Sequence, residues 1–269
     1  MKQMELQGKV THSIFEPHMQ NHEGLLRQIT QLLESDERIA AAWLLGSLGS
    51  GEGDHLSDID IFVVVFDDHF DAVADFKGSS ISTDSMLVKQ SVPEVAPPGG
   101  AFFHMVYDSS TGPILLDCNL QKCSGAIIPS QVRVLFDHVN LPRSEKPLTW
   151  DLQPGPKLTE LESYQRDWNM CVYSIPHALK YYVRDPWLEG IPDTHRIERL
   201  CFWLGVDSPS FTLEAFGRPA VKVKYIRDLV NCLDSLVPHA RARGVDVSEE
   251  AIPSIRRFLE LSGAFVDGK

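Results

Sequence analysis

Residues 44 to 65, LLGSLGSGEGDHLSDIDIFVVV, decide the reading of this chain. An apolar run from Ala41 to Leu45 stops at Gly46-Ser47, and a second apolar run from Ile61 to Phe66 follows Asp58 and Asp60. The order is strand, tight turn, loop, strand. A strand alternates its side chains between faces, so Asp58 and Asp60 project from one side while Ile59 and Ile61 project from the other. Two carboxylates placed so closely repel one another, and a chain that builds such a pair supplies protons or a cation to relieve it. Oxygen-only ligands favour Mg2+, with Mn2+ as the alternative.

Gly46 lets the backbone bend sharply after the first strand, and Ser47 stands where a helical turn begins. Its amide and hydroxyl are thereby offered to an anion. A phosphate cradle facing two metal-binding acids across a short loop is what phosphoryl or nucleotidyl transfer needs. The competing reading is a solvated hairpin with acids at a strand mouth; either half alone would favour it, and the two halves together favour chemistry.

Gly46-Ser47, ten intervening residues and Asp58-Ile59-Asp60, with Gly51 four residues after the serine and Ser57 before the first acid, resemble the signature of the nucleotidyltransferase superfamily. That superfamily includes DNA polymerase beta. The wording DERIAAAWLLGSLGSGEGDHLSDID is most similar to the antibiotic branch, which acts on lincosamides and aminoglycosides. Gly49 departs from the pattern, since a small alanine is common there, and the departure is expected to loosen the turn.

The resemblance implies Mg2+-dependent transfer of a nucleoside monophosphate from a nucleoside triphosphate (NTP) to a hydroxyl of a small molecule, with release of pyrophosphate. Asp58 and Asp60 would bind the metal, and Gly46, Ser47 and Ser57 would hold the phosphates. It also implies a third carboxylate on a neighbouring strand, sharing the metal and accepting the acceptor's proton. That role goes to Asp117, which the run PILLDCNL places inside an otherwise apolar strand. Asp108 is the competing acid, although its turn position suits a turn former, and Glu94 is a further alternative. An acid paired with a Lys or Arg at a sheet edge is the structural reading of Asp117.

The remaining chain is read outward from this centre. Residues 21 to 36 carry Leu25, Leu26, Ile29, Leu32 and Leu33 at helical spacing, with Asn21 as cap. His18 and His22 lie four apart, but lacking a third ligand they read as a solvated helix start. Residues 67 to 76 read as a short helix and 86 to 90 as a strand; PEVAPPGG, 93 to 100, reads as a loop mobile over the site. Two runs, 101 to 107 and 113 to 120, form a hairpin, and a last strand is centred on 132 to 136.

The segment 141 to 157, with four prolines, reads as a crossing between domains. The boundary is placed near Trp150, giving a catalytic domain over 1–150 and a helical domain over 151–269. In the latter, Leu158, Leu161, Tyr164, Trp168, Cys171, Val172, Ile175, Leu179 and Tyr182 form a helical stripe, with a kink expected at Pro176. Asp185-Pro186 starts another helix, Asp193 caps one running to Leu204, and 222 to 237 and 249 to 262 are helical.

The fold class is α+β: a mixed sheet flanked by helices, then an all-α bundle, which the antibiotic nucleotidyltransferases also carry. His177, Lys180, Tyr181 and Arg184 are assigned to a polar face of the first long helix, where Lys180 offers a cation to the triphosphate or the face is simply solvated. Lys222 and Lys224 are alternates. Trp187 and Trp203 read as core.

Composition narrows the partners. The net charge of −12 disfavours long nucleic acids, which clustered Lys and Arg must neutralise, and suits a small cationic acceptor. Five scattered cysteines argue against a disulfide framework or zinc ribbon. No apolar run reaches membrane-spanning length and the amino terminus is polar, so the cytoplasm is expected. Related enzymes build acceptor sites between subunits, which makes a homodimer the implied assembly. The alternatives to antibiotic modification are transfer to a protein or RNA end, and a nucleotide-binding module without turnover.

Overall fold

The structure is a computed structural model that describes residues 2–75, 81, 83–184, 194–208 and 219–267. Side chains within 2–12, 219–221 and 266–267 are outside the description, as are the expected helix starts at Asp185-Pro186 and Asp193, and Trp187. The chain divides into a sheet unit, residues 19–105 and 115–156, and a helical unit, residues 1–18, 106–114 and 157–269.

The strands β1 (Ile39–Leu44), β2 (Ile59–Val65), β3 (Met86–Ser91), β4 (Ala101–Tyr107), β5 (Ile114–Lys122) and β6 (Arg133–Asp137) form one sheet in the order β3-β4-β5-β2-β1-β6. The sheet is mixed: β2 runs antiparallel to β1 and parallel to β5. Its central strands are the apolar runs seen in the sequence. Every residue of β1 is buried, as strands covered on both faces require. The alanines at 40 to 42 leave room for Trp43, whose ring stacks on Phe62 across the strands at 4.7 Å. Trp43, Phe62 and Val64 continue into a cluster with Ala126, Ile128 and Leu141, so the chain after β5 folds back over this face.

Helix α1 spans Lys2–Glu34, far longer than the sequence spacing suggested. Leu25, Ile29 and Leu33 are its buried stripe, as expected, but Asn21 lies mid-helix and not at a helix start. His18 and His22 are not a solvated helix start: both are buried. Within the helical unit, His18 Nδ1 meets Thr111 Oγ1 at 2.9 Å and its ring packs on Phe258.

The segment 93 to 100 is a loop, as expected, with a short turn inside it. Residues Pro93–Val95 form a 3-10 turn, and two backbone carbonyls pin it: Trp150 Nε1 donates to Val95 O at 2.8 Å and Gln153 N to Glu94 O at 2.8 Å. The proline-rich stretch is therefore a strap across this turn as well as a connection.

After the short α2 (Gly46–Ser50) and α3 (Phe70–Ala74), the remaining helices belong to the helical unit: α4 (Glu160–Arg184), α5 (Thr194–Leu204), α6 (Pro219–Ala242) and α7 (Ala251–Asp267). Helix α4 begins in a capping box. Glu162 Oε2 accepts from Thr159 N and from Thr159 Oγ1, each at 2.7 Å, while Glu162 N donates to Thr159 Oγ1 at 3.3 Å. The predicted stripe from Tyr164 to Tyr182 is buried, although Leu161 at its start is exposed. The helix continues through Pro176.

Candidate active site

The site is assembled where β1 hands over to α2 beside the start of β2. Leu45 is still extended and its N–H donates to Asp60 O at 2.8 Å, which carries the ladder one residue beyond β1. Gly46 then turns left-handed at φ +58. A side chain there would collide with the neighbouring strand, since a Cβ on residue 46 would lie 2.3 Å from Asp60 Oδ2. Glycine at 46 is thus required twice, by conformation and by the approach of a carboxylate. Gly49 does not loosen the turn. A Cβ there would lie 2.4 Å from Leu44 O, so glycine allows α2 to press against the end of β1.

Ser47 and Ser57, ten residues apart, meet in space. Ser47 Oγ donates to Ser57 Oγ at 3.0 Å, and Ser57 Oγ donates in turn to Asp54 Oδ1 at 3.1 Å. Asp54 N donates back to Ser57 Oγ at 2.9 Å, and Leu56 N to Asp54 Oδ1 at 2.9 Å. Ser57 is buried, so its hydroxyl knits the loop that delivers Asp58, while the less buried Ser47 stands at the turn. Asp54 is the residue that sequence reasoning passed over in this loop.

Asp58 and Asp60 flank the buried Ile59 and are themselves partly exposed, which places both on the accessible side of β2. Asp117 joins them there. It is the register partner of Asp60 in the parallel β2–β5 pair, so their side chains leave the same face on adjacent strands. The next residue, Cys118, points into the core, where burial first and the Asp117 charge second push its thiol well above the usual range.

Asp117 is paired with a histidine. His104 Nδ1 lies 2.7 Å from Asp117 Oδ1, and with the carboxylate ionised the imidazole N–H is the donor. His104 extends the polar row to β4, and the only hint of it in the sequence was a histidine inside the apolar run AFFHMVY. Asp108, the competing acid, is paired with Arg257 of α7 within the helical unit; Arg257 Nε also donates to Ser109 O at 3.3 Å.

The expected triphosphate cation is placed differently from the sequence reading. Lys180 is buried at 4% exposure, so it does not lie on the polar face of α4. That face is a ladder of Tyr173, His177 and Tyr181, with the Arg184 guanidinium over the Tyr181 ring. Lys222 is buried with its ammonium 5.0 Å from the Tyr182 ring, and Lys224 is exposed.

Residues 27–91 match the family model described as polymerase beta, nucleotidyltransferase. Over that segment the chain is similar to a Pol beta-like nucleotidyltransferase domain. The matched segment contains Gly46, Ser47, Ser57, Asp58 and Asp60, whereas His104 and Asp117 lie outside it. Nucleotidyl transfer is the type of activity this domain supports. No curated protein matches the chain in sequence. A solved structure of a "putative nucleotidyltransferase" from H. pylori is similar over 92% of this chain and 96% of that one, at 10% identity and a TM-score of 0.25.

For a metal, the nucleotidyltransferase domain offers carboxylate oxygens on one face, a donor set suited to a hard divalent cation. Among the described residues, no group of three or more His, Cys, Asp or Glu side chains is gathered closely enough to hold an ion. The acids share a face and a register without forming a closed cage. No described helix is long and apolar enough to cross a membrane.

Proposed function

We propose that this protein transfers a nucleoside monophosphate from an NTP to a hydroxyl of a small molecule and releases pyrophosphate. The observation that carries the reading is the register of Asp60 with Asp117 on adjacent parallel strands, beside the Gly46-Ser47 turn. Asp58 and Asp60, with Asp117 beside them, would hold Mg2+. Bound there, the ion would act as a Lewis acid on the phosphate oxygens and offset the charge that develops in transfer.

The chain's own groups do the rest. Ser47 and the amides of the turn after β1 hold the triphosphate tail, and the Ser57–Asp54 bonds keep that turn in place. Asp117 takes the proton of the acceptor hydroxyl as its oxygen bonds to the α-phosphorus; the bond to the bridging oxygen breaks and pyrophosphate leaves. His104, fixed on Asp117 Oδ1, orients the carboxylate for that proton transfer.

The resemblance to the antibiotic branch makes a lincosamide or aminoglycoside the proposed acceptor. The net charge of −12 favours a cationic acceptor by steering. A homodimer and a cytoplasmic location belong to the same reading. The test is pyrophosphate release with Mg2+, each of several NTPs and a panel of aminoglycosides and lincosamides, followed by mass spectrometry of the product. A nucleotidylated antibiotic supports the proposal, and binding of NTP without pyrophosphate release under every condition contradicts it.

A further inference from the structure

The helical unit holds a second concavity that the carboxylate chemistry does not use. It has a volume of about 460 Å³ and is lined by Leu158, Ser163, Arg166 and Asp167 before and on α4, and by Arg196, Arg199 and Trp203 on α5. Among the described residues of this lining, three guanidiniums stand against one carboxylate, an excess of two positive charges in a chain whose net charge is −12.

These arginines are held in position. Asp167, 3% exposed, accepts from Arg199 Nε at 2.9 Å and from a second Arg199 nitrogen, as a fork. Arg196 reaches the same carboxylate at 3.2 Å. The other side of Arg199 lies over the Trp203 ring, 5.7 Å from its centroid, and that ring packs on Tyr164. Arg199 is therefore clamped between a buried carboxylate and an indole, yet its side chain keeps 51% of its surface exposed. A guanidinium has five N–H donors in a rigid plane, and the fork uses only part of them. A fixed, half-exposed guanidinium beside two others is a preorganised oxyanion receptor. Its volume falls in the range of small-molecule sites, about 300 to 1,000 Å³.

We infer that this pocket binds a small phosphate monoester. Such a group carries a charge of about −1.5 to −2 at neutral pH, which matches the excess charge of the lining. It also presents three oxygens to three guanidiniums. The site lies wholly within the helical unit and does not depend on the transfer reaction proposed above.

The experiment uses the full chain in EDTA, so that the carboxylate site contributes nothing through Mg2+. AMP, ribose 5-phosphate and inorganic phosphate are titrated by calorimetry and by tryptophan fluorescence, with adenosine as the uncharged control. Binding of both esters, with adenosine silent, supports the inference. Stronger binding of AMP identifies a nucleotide as the ligand, and equal binding of all three identifies the phosphate group itself.

Arg196→Gln and Arg199→Gln should each weaken binding roughly tenfold or more, as loss of a charge-assisted hydrogen bond implies. Trp203→Phe should remove the fluorescence change while binding remains measurable by heat. Arg166→Gln touches no bond to Asp167 described above, so it tests the pocket even where the other two variants fail to fold. No heat with any phosphate, or unchanged affinity in a folded Arg166→Gln, overturns the inference.

Discussion

The Asp60 carboxylate occupies the space that a side chain at Gly46 would need, with its Oδ2 2.3 Å from the position of a Cβ on residue 46. The turn that would receive phosphate and the strand that would bind metal are thus fitted to each other through the absence of one carbon. Gly46→Ala must displace the carboxylate, the turn or both. The expected result is a folded protein whose nucleotidyl transfer falls about a hundredfold, the scale of a 1 Å misplacement in an active site. Steady-state pyrophosphate release, with circular dichroism as the folding control, checks this.

His104 should matter to turnover without touching NTP. In His104→Ala the Asp117 carboxylate loses its fixed partner, so kcat should fall roughly 10- to 100-fold, as for other residues that orient a reacting group, while the KM for NTP stays near its original value. A variant with unchanged kcat, or one that loses only NTP affinity, would remove His104 from the mechanism.

Gly49 and Gly51 make a matched pair for stability. Alanine at 49 would drive a Cβ to 2.4 Å from Leu44 O, whereas residue 51 has open space around it and only a left-handed φ of +81. Gly49→Ala should destabilise by about 1 to 3 kcal/mol through overpacking, and Gly51→Ala by about 1 kcal/mol through conformation. Urea unfolding of the two variants side by side would decide it, and equal losses would contradict the close contact at 49.

Alkaline pH offers a test of the helical unit. Burial, followed by the neighbouring Cys201, pushes the Cys232 thiol from 9.0 up to about 12. Unfolded chains release this proton near pH 9 while the folded protein keeps it, so the unfolded state binds fewer protons in between. The Cys232 contribution is therefore fully present below about pH 9 and is lost as pH rises toward about 12. Denaturant unfolding of the wild type and Cys232→Ala from pH 8 to 11 should show a shallower decline in the variant.

Much of this architecture was legible because it is local. Two apolar runs of strand length, a Gly-Ser turn and alternating aspartates specify β1, α2 and β2, and the five-residue connection between Tyr107 and Pro113 specifies the β4–β5 hairpin. What escaped the sequence is pairing over distance. Asp54, caught between Ser57 and Leu56, looked like one more polar loop residue, and His104 gained meaning only when β4 was laid beside β5. Lys180 was placed on a polar face because a lysine on a helix is usually solvated, and here the side chain is buried. The reach of α1 back to Lys2 was hidden by a polar amino-terminal segment whose spacing carries little apolar period.

The most direct test of the central claim is pyrophosphate release by Asp60→Asn, which removes a charge from β2 while preserving shape. The account predicts that the variant folds, melts close to the wild type and releases no measurable pyrophosphate with any NTP and acceptor that the wild type uses. Wild-type turnover in a folded Asp60→Asn protein would contradict the account.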